Sequence, residues 1–317
     1  MTASSSLRGL IIDLITPLSK GGDIDGRGLG RHLDRVLPHA QGILLASPYV
    51  GEGRNLKPAQ KEELLEKALV VVRGRVPVLF WISGGTIEET GDILLRLRKR
   101  IEKRAYDGPV FWIDSPLYYH SNRGLPLYYK DLSDAVKEPF FLYNHPSLIE
   151  QLARPFKRNN IRTGILKELA QIKNIRGLIF FGPLDRSRNY KKAVRSRPDF
   201  RIYDGEEAHF LTHPSLSGVI SVGANLAPRE WQKITASSLH TSGDQKNYPD
   251  HLQQIWEAGE YLGLLMEIYS GLSEAVVNQV LADADIIESP TCTSKIGATE
   301  DKARLARELR ARYGFPT

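Results

Sequence analysis

The chain has one cysteine, Cys292, in 317 residues. No disulfide can close within it, and a reducing compartment fits that usage. Cys292 sits in a polar stretch, residues 289–293, with no histidine beside it, which reads as a passive thiol. Long apolar runs are also missing, whereas a membrane span needs about 20 such residues. Residues 1–8 lack the apolar core of a secretory signal, so a cytoplasmic protein without a membrane partner is expected. No Gly-x-Gly-x-x-Gly follows the first apolar run, which argues against the runner-up architecture, a doubly wound open sheet. Repeats and low-complexity tracts are absent too. His209 and His213 stand four apart without the glutamate of a zinc motif, and read as residues of a helix surface. Asp13, Asp114 and Glu206 come from separate strands without tight ligand spacing, so neither a metal nor a cofactor is expected.

The net charge is +6 and the pI about 9.2. Its densest basic run, residues 96–104, continues a helical pattern begun at Ile93. That run reads as a solvated helix face whose cations suit the C-terminal dipole. No aromatic residues interleave it, so a nucleic-acid partner is not expected.

What is present is alternation. Eight short runs rich in β-branched, aliphatic and aromatic residues begin at Leu10, Gly42, Val76, Val110, Phe140, Leu178, Phe200 and Gly218. Helical patterns separate most of them, such as residues 59–69 and residues 87–95 with Thr86 as N-cap. Near-continuously apolar strands alternating with helices indicate a parallel sheet covered on its outer face. Eight such units predict an α/β fold, a TIM (β/α)8 barrel over residues 1–227, close to the ~250 residues typical of that fold. Beyond it the pattern is helical only, at residues 228–239, 250–269, 273–281 and 302–313, with a linker at 242–249. A C-terminal helical domain over residues 228–317 is therefore expected.

In such a barrel the site lies at the carboxyl ends of the strands. That rim holds Asp13, Ser47, Glu52, Asp114, Tyr118, Tyr143, Gly205, Glu206, Glu207 and Ile220. Turn-forming residues are common just past strands for local reasons as well. Trp81, Trp112, Phe180 and Phe181 read as packing residues rather than a stacking platform.

Several segments, in order, are similar to those of one family. They are Gly9 through Thr16-Pro17 to Gly22-Asp23-Ile24-Asp25, then Gly51-Glu52 with Leu56, and Ser115-Pro116-Leu117-Tyr118. Further on come Leu142-Tyr143-Asn144-His145-Pro146, Asp204-Gly205-Glu206-Glu207 and Gly218-Val219-Ile220-Ser221-Val222-Gly223-Ala224-Asn225. Together they resemble the dihydrodipicolinate synthase / N-acetylneuraminate lyase family, class I pyruvate aldolases. The resemblance implies a barrel, a homo-oligomer (dimer or tetramer) and a small oxo-acid ligand. It implies catalytic roles for Tyr143, as proton relay, and Tyr118, as the tyrosine donated across the dimer interface.

The same resemblance exposes what is missing. The family's Schiff-base lysine falls on Ile179, its Thr-Thr pair on Tyr49 and Val50, its carboxylate-holding arginine on Leu148, and a small wall residue on Asp13. The loop is one residue longer than the family's, which makes Ser47 a candidate for a replacement hydroxyl. An imine needs a primary amine, so the expectation is a diverged lyase working without one. The alternative is a non-catalytic ligand-binding or regulatory paralogue. Asp13, Ser47, Tyr49, Val50, Gly205, Ile220 and Ile179 are the candidate substrate-binding residues. A carboxylate inside an apolar strand is costly unless paired or protonated. Asp13 therefore has two open readings, a new acid/base or cation-binding group and a satisfied strand-end acid.

Overall fold

The computed structural model describes residues 7–153, 158–239, 248–293 and 299–314. Eight parallel strands close into a barrel in chain order: β1 (Gly9–Asp13), β2 (Gly42–Leu45), β3 (Val78–Trp81), β4 (Val110–Asp114), β5 (Phe140–Asn144), β6 (Ile175–Phe180), β7 (Arg201–Asp204) and β8 (Gly218–Ser221). Around them and after them run α1 (Gly26–Val36), α2 (Pro58–Val72), α3 (Ile87–Lys103), α4 (Pro116–Tyr119), α5 (Leu125–Ala135), α6 (Pro146–Glu150) and α7 (Thr163–Leu169). The remainder are α8 (Leu184–Ala193), α9 (Glu207–Thr212), α10 (Pro228–Ser238), α11 (Tyr248–Tyr269), α12 (Ser273–Asp283) and α13 (Glu300–Arg312). Among the described residues no helix is long and apolar enough to cross a membrane.

Alternate strand residues point inward and outward. The inward set forms its own core, with Ile11, Leu44, Leu79, Ile113, Phe141, Tyr203 and Ile220 all buried. The outward set joins the helices in the larger core, where α10 packs against β1 and β8. The expected α/β barrel with C-terminal helices is the fold observed.

Differences at element ends have local causes. The first apolar run continues to Ile15, yet β1 stops at Asp13. There the ladder is taken over by a side chain, because the Ile15 amide donates to Asn225 Oδ1 at 3.2 Å. Asp13 thus ends its strand rather than interrupting it. The third strand starts after Pro77, which has no N–H to give to the ladder. Tyr248 and Pro249, expected in a linker, begin α11, while residues 242–247 of that linker lie outside the described residues.

The expected cap of α3 is present, with Thr86 Oγ1 accepting from the Glu89 amide at 3.1 Å. The basic run on that helix is less solvated than its composition suggests. Arg100 pairs with Glu62 of α2 at 2.7 Å and with Glu66 at 3.1 Å, joining two helices of the outer ring.

Candidate functional site

The loop after β2 shapes one side of the barrel mouth. It turns back sharply, with Ala46 and Glu52 at positive φ. Ser47 anchors the turn, its Oγ accepting from the Gly51 amide at 2.9 Å and its carbonyl from Gly53 at 2.8 Å. A Cβ on Gly53 would lie 1.9 Å from the Ala46 carbonyl oxygen, so only glycine fits there. This turn leaves Glu52 buried, with its carboxylate accepting from the backbone N–H of Thr293 at 3.0 Å and from its hydroxyl. The segment that follows α12 is thereby clamped to the β2 loop.

Asp13 is the last residue of β1 and is buried at the mouth. Its backbone carbonyl accepts from Asn225 Nδ2 at 2.7 Å, and Asn225 Oδ1 also accepts from His32 Nε2 at 2.8 Å. Burial drives His32 down to about 3, so the ring is neutral and Nε2 carries the donated proton. The Asp13 carboxyl is buried and hydrogen-bonded by Ser47, while Oδ1 has no hydrogen-bond partner among the described residues. Burial, opposed by Ser47 and assisted by the negative charge of Glu207, raises this carboxyl to about 7.

Glu207, the first residue of α9, turns inward. It accepts from Ser221 Oγ at 2.5 Å, the Gly223 amide at 2.7 Å and the Tyr269 hydroxyl of α11 at 2.6 Å. Burial still raises its carboxyl above the ordinary range, against those three donors. Glu206 beside it is exposed.

Tyr143 projects from β5 into the same space. Burial, then the charge of Asp13, hold its phenol well above 10. An aromatic wall stands beside it. The His145 ring stacks on Tyr143 at 6.0 Å and lies tilted 4.2 Å from Phe181 and 5.3 Å from Tyr49. Phe181, two residues beyond the inward Ile179, alternates back to the inside and packs against the inner core at the mouth. Its ring also explains Gly205, where a Cβ would come within 2.3 Å of it. Trp81 faces inward as well, with its indole donating to Ser115 Oγ at 2.9 Å and Tyr118 edge-on at 6.1 Å.

The other candidates are placed as follows. Ile179 is fully buried in the barrel interior, and Ile220 nearly so. Val50 and Leu148 are buried in the outer core instead. Asp114 is saturated, with Oδ1 accepting from Ser83 at 2.6 Å and Oδ2 from Tyr119 and Tyr129 at 2.6 Å each. Among the described residues no three His, Cys, Asp or Glu side chains gather in a way that could hold a metal ion. His209 is not merely on a helix surface, since its Nδ1 lies 3.0 Å from Asp204 Oδ1; His213 is exposed.

Two residues near the mouth have no role that the sequence reading assigned. Asn225 holds the end of β1 and so positions Asp13. Lys61 of α2 is buried, with its Nζ 5.1 Å from the Trp81 ring centroid, and burial lowers its amine to about 8. Nothing in the local pattern marks Lys61, because it occupies an ordinary position in an amphipathic helix. A surface hollow of about 610 Å3 between α2 and α3, lined by Arg96, Lys99 and Lys103, is separate from these groups.

A closed parallel barrel with polar side chains collected at the carboxyl ends of its strands is the TIM-barrel arrangement. The sequence pattern of the Dihydrodipicolinate synthetase family matches residues 6–307, and the chain belongs to that family. It is 30% identical over 241 residues to the 4-hydroxy-tetrahydrodipicolinate synthase of Methanosarcina mazei, covering 73% of this chain and 75% of that one. With the synthase of Thermotoga petrophila the identity is 26% over 316 residues, 97% of this chain and 99% of the other. The fold is similar to that of a monomeric dihydrodipicolinate synthase variant, with a TM-score of 0.80, 22% identity and full coverage of both chains.

Proposed function

We propose that this chain is a diverged lyase of its family that acts on a small oxo-acid, or a similar carbonyl compound, without a Schiff base. One observation carries the reading. A buried carboxyl poised near neutrality, Asp13, shares the barrel mouth with the Tyr143 phenol, while the inward position on β6 holds Ile179. An isoleucine offers no amine, so an iminium cannot serve as the electron sink.

The chemistry left to these residues is proton transfer. In its neutral form Asp13 donates a hydrogen bond through the oxygen that lacks a partner, polarising a substrate carbonyl. In its ionised form it accepts a proton. Tyr143 stays protonated at neutral pH, so it passes a proton on rather than acting as a phenolate base. Ser47 orients Asp13. Tyr49, Gly205, Ile220 and Ile179 shape the space around the ligand, with Val50 supporting the β2 loop from behind. Tyr118 has the proposed second catalytic role, at the face where a second copy would complete a dimer or tetramer.

The same reading divides the chain into a barrel that carries the site, residues 1–227, and a helical domain, residues 228–317, that braces it. The bonds from Tyr269 to Glu207 and from Thr293 to Glu52 link the two. We place the protein in the cytoplasm, with a small-molecule partner.

The test is a panel of small oxo-acids screened for thermal stabilisation, with each binder then assayed for turnover. The expected result is a binder that is consumed, with Tyr143→Phe slowing its turnover by about 10²–10⁴-fold. Binding without turnover, indifferent to Tyr143→Phe, would refute the enzymatic reading.

A further inference from the structure

A second cavity lies apart from the barrel mouth, where the C-terminal helices meet α1 and the turn Gly223–Asn225. It encloses about 240 Å3. That is below the ~300–1,000 Å3 of most ligand pockets, so it suits a compact molecule. Its walls are mainly hydrocarbon, from Leu226, Leu265, Val280, Ile286 and Ala306. Ala284, Arg307 and Ala311 are exposed at its rim and give it an opening.

The charged residues that line this apolar wall are arginines. Arg35, Arg307 and Arg310 all line it. Arg307 has an acid of its own, pairing with Asp283. Arg35 is held differently, with its two terminal nitrogens donating to the carbonyl oxygens of Asn225 and Leu226 at 2.6 and 2.7 Å. Among the described residues it forms no ion pair with a carboxylate. Burial and the nearby Arg310 cation lower Arg35 to about 10, against a weaker opposing pull from Glu230, so it remains charged near pH 7. A desolvated cation facing hydrocarbon without a paired anion is costly, and an anion with an apolar body would relieve that cost.

We propose that this cavity binds a compact apolar carboxylate, its hydrocarbon among α11, α12 and α13 and its carboxylate between Arg35 and Arg310. Such a ligand would join α1 of the barrel ring to the last two helices. It would also contact Ile286, at the start of the segment that runs on to the Glu52 clamp.

Isothermal titration of the intact protein with sodium octanoate tests the site, with 1-octanol as the uncharged counterpart. Octanoate is expected to bind at one site, with octanol weaker by about tenfold or more, the discrimination that a charge-assisted hydrogen bond supplies. Arg35→Gln should weaken octanoate by a similar factor. Ala284→Trp, at the exposed rim, should block entry while leaving a cooperative melt, and it decides the matter alone if Arg35→Gln fails to fold. Octanoate binding no better than octanol, or octanoate binding unchanged by Ala284→Trp, would overturn the assignment.

Discussion

Tyr143 and Ile179 are directly opposed across the β5–β6 ladder, and both face the barrel interior. One is the tyrosine expected to relay protons; the other fills the position where the resemblance calls for an amine. The neighbours of Ile179 on β5 and β7, Tyr143 and Tyr203, are inward residues too.

This juxtaposition gives the first prediction. Incubation with pyruvate followed by borohydride should leave the intact mass unchanged, since no amine stands opposite Tyr143. Lys61 is the residue to watch, because its buried amine, lowered to about 8, is partly neutral near pH 7. A reduced adduct mapped by peptide mass spectrometry to Lys61, or to any other lysine, would contradict the proposed mechanism.

A second prediction concerns Asp13 and pH. Its folded value is raised, from 3.8 to about 7. Between those values the native state therefore binds more protons than the unfolded chain, and stability falls as pH rises. The penalty is absent below about pH 4 and fully present above about pH 7, and it amounts to a few kcal/mol at most. Asp13→Asn should be more stable than the parent at pH 8, with the advantage shrinking as the pH falls through 7 towards 5. Urea denaturation across that range checks it, and a difference that does not vary with pH would count against a raised Asp13.

Asp114 supplies a contrasting prediction. It is buried and saturated, so its neighbours stabilise the fold rather than serve the mouth. Tyr129→Phe removes one of two phenol donors to Oδ2 and should cost about 1–3 kcal/mol in denaturant unfolding. Any ligand found at the mouth should bind this variant as it binds the parent. A large loss of affinity with little loss of stability would move Asp114 into the site.

Periodicity alone made the barrel legible. Inward and outward burial on a parallel strand leaves a short, nearly unbroken apolar run, and eight of these separated by helices have few other solutions. The residues Ile179, Leu148 and Asp13 were picked out only through the resemblance, from their places relative to segments similar to the family's. Less readable were the partners. Glu207 and Glu206 are adjacent acids with the same local pattern, and only the start of α9 turns one in and leaves the other in solvent.

The sequence by itself determined the strand order, the capping of α3 and the absence of an amine at residue 179, since these depend on residue type and spacing. Tertiary structure alone decided the state of Asp13. Its carboxyl is raised by burial at the end of β1, a strand end that Asn225, 212 residues away, holds in place, and further by the negative charge of Glu207, against the hydrogen bond from Ser47. The physical reason is that desolvation and charge coupling act through space, between residues whose separation in sequence carries no periodic mark.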